Sequence, residues 1–445
     1  MSSALEAKLE DALKSRDERN IRRRLPHQIA VSSSANLASD QLTDFSSNDY
    51  LSFTTLPRLR DLFLEKLHAA PEILGSGGSR LLVPARPHAA LETRLAAFLK
   101  APAALLFNSG FDANVGFFAS VPQEGDVIVY DEMIHASVHD GMRASRAHAA
   151  LFSFEHNSVK ALERTLRRLV RDRADVEAGG ASVFVAVESL YSMDGTFAPL
   201  REMVEVVETM LPRGNGHIVV DEAHCTGVYG PRGRGRVVEL GLEKKVLARL
   251  HTFGKALGGN GAALLTTVLI RDYLLNYARS LIYTTSLTNA NVIAVDCSFD
   301  LMEDGTASKL ASHLLDMSTH FVESLRPHLA SIPSKLLSLP PHILSPSPGT
   351  PPSPIIPLHT CSPRPLSAYL ASRNLAARAI TWPTVPKGKD RVRICLHAGH
   401  KREDVDRLVS AILAWTDEQV TMRRIQKERE LEEWRGVSTW MEAKL

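Results

Sequence analysis

Cysteine is scarce in this sequence. The four cysteines, Cys225, Cys297, Cys361 and Cys395, lie far apart, with no C-x-x-C pair and no clustered histidines beside them. A disulfide framework and a structural zinc site are therefore not expected, and we predict no metal site. The same cysteine usage favours a reducing compartment.

Long apolar runs and an excess of charge of one sign are also missing. No stretch of about 18 uninterrupted apolar residues occurs, so we expect no membrane span. The 52 Lys and Arg residues nearly balance the 50 Asp and Glu residues, which gives a net charge of +2 and no global attraction to nucleic acid. The N-terminus has no apolar signal core and carries acidic residues, so it reads as an amphipathic helix instead of a targeting peptide.

The composition that remains is that of a globular protein of two or three domains. The chain has 445 residues, of which 44% are hydrophobic and 23% charged. Short apolar runs alternate with helical patterns, and the predicted strands are APAALLFN, DVIVYD, SVFVAVES, GHIVVDEAH and AALLTTVLI. This alternation predicts an α/β fold with a large, mostly parallel sheet covered on both faces. Functional loops should follow the carboxyl ends of its strands.

The C-terminal part of the chain has a different pattern. Residues 331–357 are rich in proline and serine and predict an inserted loop, with a PxxP ligand as the alternative. A helix, the strand RVRICLHAG and a long charged helix over residues 402–435 follow, which indicates a smaller α+β domain. The predicted division is an N-terminal helix and arm, a large domain, a small domain and a tail, over residues 1–57, 58–300, 301–424 and 425–445.

Two segments carry residues suited to covalent and acid–base chemistry. Lys255 lies in TFGKALGGNG, where small neighbours admit a bulky group and partial burial lowers the amine pKa. A surface lysine in a glycine turn is the alternative. Asp221 and His224 follow the strand of HIVVDEAH, where a buried carboxylate needs a cationic partner such as a protonated pyridine ring, unless it caps the next turn. DEAH also occurs in helicases, but the phosphate loop that helicases need is missing from the sequence.

Three more segments reach the same predicted edge of the sheet. Ser109, Gly110 and Phe111 lie at a strand-to-helix junction, and a helix N-terminus is a ready phosphate site. His135 follows a strand and could stack on a flat cofactor ring, although a lone histidine is more often structural. Ser192 offers a hydroxyl donor.

Together and in this order, the motifs resemble those of the α-oxoamine synthases, pyridoxal-phosphate enzymes of the aspartate-aminotransferase fold. The resemblance covers roughly residues 20–415, through FSSNDYLSF, GSGGSRLL, FNSGFDAN, DEMIHAS, VDEAH, TFGKALGGNG and WPTVP with RVRICLHAGH. The motifs look most similar to the 8-amino-7-oxononanoate synthase branch, which condenses L-alanine with pimeloyl-CoA in biotin biosynthesis. The resemblance implies a fold-type I transferase that forms a homodimer.

The resemblance also implies roles for individual residues. Lys255 would bind pyridoxal 5′-phosphate as a Schiff base and act as the base, Asp221 would pair with the pyridine nitrogen, and His135 would stack on the ring. The other positions would bind the phenolic oxygen (Ser192, His224), the phosphate (Gly110, Phe111, Thr252), the amino acid carboxylate (Asn48, Arg393) and the acyl substrate (Arg22, Thr384). Thr284 or Thr285 would reach the phosphate in the partner subunit.

Some positions depart from the family pattern. His251 replaces a small residue, VPARP lacks the usual glycine, and Thr381-Trp382 stands where biotin-pathway relatives often have Arg-Pro. The missing arginine concerns recognition of the distal pimeloyl carboxylate. Two alternatives therefore stay open: an α-oxoamine synthase that joins glycine, serine or alanine to a different acyl-CoA, and an inactive homologue that acts as a binding subunit. The second would be expected to lose Lys255.

The last three residues of the sequence resemble a targeting signal. Ala443-Lys444-Leu445 resembles the small-basic-leucine signal for peroxisomal import. We therefore expect recognition by the peroxisomal import receptor, with a cytoplasmic location as the alternative.

Overall fold

The computed structural model describes residues 3–19, 21–23, 42–75, 77–82 and 86–442. The predicted signal at residues 443–445 lies outside the described residues, as do residues 1–2, 20 and 24–41 of the predicted N-terminal helix and arm. The described helices are α1 (Ala4–Glu18), α2 (Pro57–Ala69), α3 (Arg86–Phe98), α4 (Gly110–Ser120), α5 (Ala136–Arg143), α6 (Val159–Asp172), α7 (Ala174–Glu177), α8 (Leu200–Met210), α9 (Arg236–Glu239), α10 (Val268–Tyr277), α11 (Arg279–Ile282), α12 (Asn289–Glu303), α13 (Thr306–Leu329), α14 (Pro341–Leu344), α15 (Pro363–Ala371) and α16 (Arg402–Glu442).

The strands in the described part of the chain form one large and two small sheets. In chain order they are β1 (Thr43–Asp44), β2 (Ala103–Phe107), β3 (Val127–Asp131), β4 (Leu151–Phe154), β5 (Val183–Glu188), β6 (Gly216–Asp221), β7 (Ala248–Thr252), β8 (Ala262–Thr266), β9 (Ile355–His359), β10 (Leu375–Ala376), β11 (Arg378–Ile380) and β12 (Arg391–Cys395). The large sheet has the order β2-β8-β7-β6-β5-β3-β4. Only β8 runs antiparallel to its neighbours among these strands, which confirms the predicted α/β class.

Both faces of the large sheet are buried. Along β3, Val127 and Val129 belong to the core formed with α6 and α8, whereas Ile128 belongs to the core formed with α4 and α5. Successive side chains of a strand point to opposite faces, so each strand needs apolar residues at every position. The continuous apolar runs in the sequence have this cause.

The predicted strand AALLTTVLI is wrong in its second half. Strand β8 ends at Thr266, and α10 begins at Val268. The Thr267 side chain accepts a hydrogen bond from the Ile270 backbone N–H at 3.2 Å, which caps the helix. A threonine cap inside an apolar run therefore ended the strand early.

The proline-rich segment 331–357 is more packed than predicted. Leu336, Leu337 and Leu339 are buried in the core between the small three-stranded sheet and its neighbouring helices. Strand β9 begins within the segment. The prediction of an unpacked loop is wrong at these positions because the apolar residues between the prolines are buried. A proline at the first position of α14 also suits a helix start.

The two small sheets lie in and beside the C-terminal part of the chain. Strands β11, β12 and β9 form an antiparallel sheet, and β1 pairs with β10 in parallel. Helix α16 packs along this region and is longer than the predicted 402–435. None of the described helices is long and apolar enough to cross a membrane.

Candidate active site

A cavity of about 220 Å³, here called the inner cavity, lies at one edge of the large sheet. Five strands that run in the same direction have their carboxyl ends at this edge. Gly110 follows β2, His135 follows β3, Glu188 ends β5, Asp221 ends β6 and Lys255 follows β7. Because parallel strands end at the same edge, residues far apart in the chain meet here.

Asp221 is a buried carboxylate at the wall of the inner cavity. Its Oδ1 accepts from the Ala223 backbone N–H and its Oδ2 from the Asn114 side-chain amide, both at 2.9 Å. These partners are neutral. A buried carboxylate held only by neutral donors is well placed to receive a cationic ring nitrogen.

Lys255 is half-buried and lines the inner cavity together with Asp221 and Glu188. Burial lowers the pKa of its amine, while attraction to Asp221 and Glu188 opposes that shift. Burial, with the nearby charge of Asp221, raises the pKa of Glu188 well above its usual range. The lysine is therefore closer to its neutral, nucleophilic form than a surface lysine.

The N-terminus of α4 forms one end of the inner cavity. The Ser109 hydroxyl caps the helix by accepting from the Asp112 N–H at 3.0 Å. Gly110 leaves no room for a side chain, since a Cβ there would lie 2.3 Å from Thr252 Cγ2. The Thr252 Oγ1 atom is buried and has no partner among the described residues. Free helix N–H groups beside an unpartnered hydroxyl suit a phosphate.

The two histidines of the cavity are held by different networks. His135 Nδ1 lies 2.8 Å from the Ser137 hydroxyl, which accepts from the Asn114 amide at 2.9 Å. His224 Nδ1 lies 2.7 Å from the Tyr50 hydroxyl. Burial lowers the pKa of both imidazoles, so both are neutral near pH 7.

A second cavity of about 650 Å³, here called the outer cavity, meets the inner one at His135, His224 and Lys255. At its inner end Arg393 is only 6% exposed. Its Nε donates to the Ser192 carbonyl at 2.6 Å, and its Nη2 donates to Asn48 Oδ1 at 3.0 Å. A buried guanidinium with neutral partners can receive a carboxylate bidentately.

The structure brings the predicted site residues together in these two cavities. The inner cavity contains Gly110, Phe111, His135, Asp221, His224, Thr252 and Lys255, and the outer cavity adds Arg22, Asn48, Ser192, Thr384 and Arg393. Thr284 and Thr285 line neither cavity. The side-chain amide of Asn108 donates to the Thr284 hydroxyl at 3.2 Å and to the Thr285 carbonyl at 2.6 Å.

Sequence reasoning missed Glu188, Asn114, Ser137 and Tyr50. Glu188 ends a buried strand and pairs in register with Asp221, so the signal that identified Asp221 was present for it too. Asn114 lies one helical turn after Gly110, on the same face of α4. Tyr50 reaches His224 from 174 residues away, and no local pattern announces that contact.

The inner cavity fits pyridoxal 5′-phosphate, the cofactor that the motifs imply. Its phosphate suits the α4 N-terminus and Thr252, its ring nitrogen suits Asp221, and its aldehyde suits the Lys255 amine. The unpartnered Thr252 hydroxyl and the exclusively neutral hydrogen-bond donors of Asp221 are the two observations that this group would explain.

Comparison with known sequences gives the family. Residues 40–412 match the family model described as aminotransferase class I and II. The 8-amino-7-oxononanoate synthase of Emericella nidulans is 45% identical, over 95% of this chain and 97% of its own length. Aminoacyl transferase sphA of Aspergillus fumigatus is 37% identical, over 85% of this chain and 81% of its own length.

Solved structures agree on the fold. The Sphingomonas wittichii serine palmitoyltransferase is 26% identical, with a TM-score of 0.74 over 92% of this chain and 97% of its own. The 8-amino-7-oxononanoate synthase from Francisella tularensis is 24% identical and has a TM-score of 0.66 over 86% of this chain and 99% of its own. This chain belongs to the aminotransferase class I and II family of pyridoxal-phosphate-dependent enzymes and is an acyltransferase similar to the 8-amino-7-oxononanoate synthases.

Proposed function

We propose that this enzyme condenses L-alanine with pimeloyl-CoA to form 8-amino-7-oxononanoate, coenzyme A and carbon dioxide, a step of biotin biosynthesis. The observation that carries the proposal is the junction of the two cavities at Lys255. Lys255 lines both cavities: the inner one contains the groups suited to the cofactor, and the outer one contains Arg393. The 45% identity to the Emericella nidulans enzyme supports this pair of substrates.

Each site residue then has a defined task. The bound cofactor supplies an electron sink for the carbanion and for the later loss of carbon dioxide. Lys255 would hold the cofactor covalently, and its freed amine would take and return the proton on the amino acid α-carbon. Asp221 keeps the ring nitrogen protonated. Arg393 and Asn48 hold the amino acid carboxylate and so set the orientation of that α-carbon.

The remaining predicted residues have supporting tasks. With the cofactor bound, His135 would face its ring and assist proton return, and His224 with Ser192 would bind the phenolic oxygen. Gly110, Phe111 and Thr252 hold the phosphate. Arg22 and Thr384 lie along the outer cavity, on the route of the acyl thioester.

A coenzyme A release assay tests the proposal. Glycine, L-alanine and L-serine are each combined with pimeloyl-CoA, heptanoyl-CoA and palmitoyl-CoA. We expect the highest kcat/KM for L-alanine with pimeloyl-CoA. A faster reaction of another pair contradicts the assignment and identifies the true substrates.

The second candidate is a related condensation with another amino acid or a longer acyl-CoA. Its support is the 37% identity to aminoacyl transferase sphA and the structural likeness to serine palmitoyltransferase. The same assay separates the two candidates. An inactive binding subunit is tested independently: a lysine-bound cofactor gives a visible absorbance band that borohydride removes, and an inactive homologue without that bond gives none.

We further propose that the enzyme works as a homodimer in the peroxisome. The C-terminal Ala443-Lys444-Leu445 supports import, and peroxisomal shortening of longer diacids would supply pimeloyl-CoA beside the enzyme. A fluorescent protein fused to the N-terminus should give peroxisomal puncta that disappear when these three residues are deleted. Diffuse signal from the full-length fusion, or puncta that survive the deletion, contradicts this location. Sedimentation analysis tests the dimer.

A further inference from the structure

The lining of the outer cavity carries an excess of positive charge. Among the described residues its lining includes six arginines and no aspartate or glutamate: Arg16, Arg22, Arg23, Arg364, Arg378 and Arg393. Arg22 is paired with Asp17 at 2.6 Å, outside the lining. One amino acid carboxylate at Arg393 neutralises only part of this charge. The cavity is therefore built for a ligand with further anionic groups.

Arg378 lies close to the reacting end of the cavity. In the antiparallel pairing of β11 with β12, Arg378 lies directly opposite Arg393. Directly opposed residues have Cβ atoms about 5 Å apart on the same face, and like charges in such a pair are destabilising. The described residues give Arg378 no carboxylate partner. An anion bound beside Arg378 would relieve this repulsion.

Arg364 reaches the same wall from helix α15. Its Nη2 donates to the Thr381 hydroxyl at 3.2 Å, and Thr381 comes directly after β11. The turn from Thr381 to Thr384 lines the same cavity. A strand and a helix thus present two guanidinium groups beside one turn.

Building on the proposed function, we propose that Arg364 and Arg378 bind the distal carboxylate of a dicarboxylic acyl thioester and so select it over monocarboxylic acyl chains. The acyl carbonyl must reach the α-carbon of the amino acid held by Arg393, so its chain extends along this wall. The phosphates of coenzyme A lie at the far end of the long pantetheine arm. They are therefore poorly placed to reach the cross-strand neighbour of Arg393, whereas the carboxylate of a short diacid is well placed.

The test compares two acyl-CoAs that differ only in that carboxylate. Arg364→Met, Arg378→Met and the double variant are assayed with L-alanine and either pimeloyl-CoA or heptanoyl-CoA, and the inhibition constant of free coenzyme A is measured. We expect kcat/KM for pimeloyl-CoA to fall roughly ten- to hundredfold per variant. The values for heptanoyl-CoA, the KM for L-alanine and the inhibition by coenzyme A should stay unchanged.

Arg373→Met is the matched control. Arg373 is exposed, lies over the Tyr369 ring at 4.5 Å and does not line the outer cavity, so all constants should equal those of the wild type. Equal losses for both acyl-CoAs with weaker inhibition by coenzyme A would assign the arginines to phosphate and overturn the inference. Unchanged kinetics of the double variant would also overturn it. A wild-type enzyme that fails with pimeloyl-CoA would instead contradict the proposed function.

Discussion

The inner and outer cavities meet at one lysine but are assembled in different ways. The inner cavity takes its chemistry from the ends of neighbouring strands in one sheet. The outer cavity combines the N-terminal segment and the turn around Asn48 with the small domain, which lies hundreds of residues further along the chain. A sheet edge assembles residues by a general rule, whereas three separate segments meet only through tertiary packing. The residues of a site at a sheet edge can therefore be predicted from sequence more completely than those of a site formed by separate segments.

The largest expected effect comes from the residue that both cavities share. Lys255→Ala should still fold and bind pyridoxal 5′-phosphate noncovalently, because the Thr252 and α4 contacts remain. Turnover should fall by several orders of magnitude, since both the covalent anchor and the base are lost. Coenzyme A release measures the rate, and thermal unfolding checks the fold.

Lys335→Ala, at an exposed position of the small domain, is the control for this variant and should behave as wild type. A Lys255→Ala enzyme that keeps turnover within about tenfold of wild type would show that the two cavities do not share a catalytic amine.

A second variant breaks the inner cavity alone. Asp221→Asn preserves the shape of the side chain, but a neutral amide cannot keep the ring nitrogen protonated. We expect kcat to fall roughly a hundredfold or more, with little change in the KM for the acyl-CoA, because the outer cavity is intact. An unchanged kcat would mean that Asp221 serves only as a cap for the following turn.

The sequence predicts the sheet well because its pattern has a local physical cause. Strands buried on both faces need continuous apolar residues, and the runs that contain Val127–Asp131 and Val183–Glu188 were recognised for that reason. Strand β8 was predicted too long, since the capping role of Thr267 is visible only in a helical context. The buried leucines near Leu336 were missed because the surrounding prolines suggested a loop.

The same contrast holds for the site. Asp221 ends one strand and Lys255 follows the next, so their meeting could be expected from the sheet alone. The contact of Tyr50 with His224 depends on how the segment before α2 packs against the large sheet. The cross-strand pairing of Arg378 with Arg393 depends on how β11 packs beside β12. No local pattern encodes that packing, and the resemblance to the family supplied Arg393 but not Arg378.

A smaller effect is expected where the start of α4 meets the end of β7 at the proposed phosphate site. In Gly110→Ala the new Cβ would lie 2.3 Å from Thr252 Cγ2, so the Thr252 side chain, α4 or β7 must shift. We expect the affinity for pyridoxal 5′-phosphate to fall roughly tenfold. Titration of the apoenzyme with the cofactor measures this.

Two further variants sharpen that result. Thr252→Ser removes the clashing methyl group but keeps the hydroxyl, so adding it to Gly110→Ala should restore part of the affinity. Gly180→Ala, whose Cβ would meet no atom closer than 3.5 Å, should leave cofactor binding unchanged. No recovery in the double variant would show that the methyl contact is not the cause.

The smallest effect on activity should come from Glu222, the carboxylate next to Asp221, which faces away from both cavities. It is fully buried and accepts from the Arg236 and Val237 N–H groups at 2.8 and 2.7 Å, at the start of α9. Burial raises its pKa from 4.5 to about 7. The protonated form therefore contributes stability that is fully present below about pH 4.5 and is lost as the pH rises through about 7, by up to about 3 kcal/mol. Urea unfolding at pH 5 to 8 should show this decline in the wild type and a flatter curve in Glu222→Gln.

Parallel curves of stability against pH for the two proteins would contradict the assignment. A large loss of turnover in the folded variant would show that Glu222, like Asp221, acts on the inner cavity.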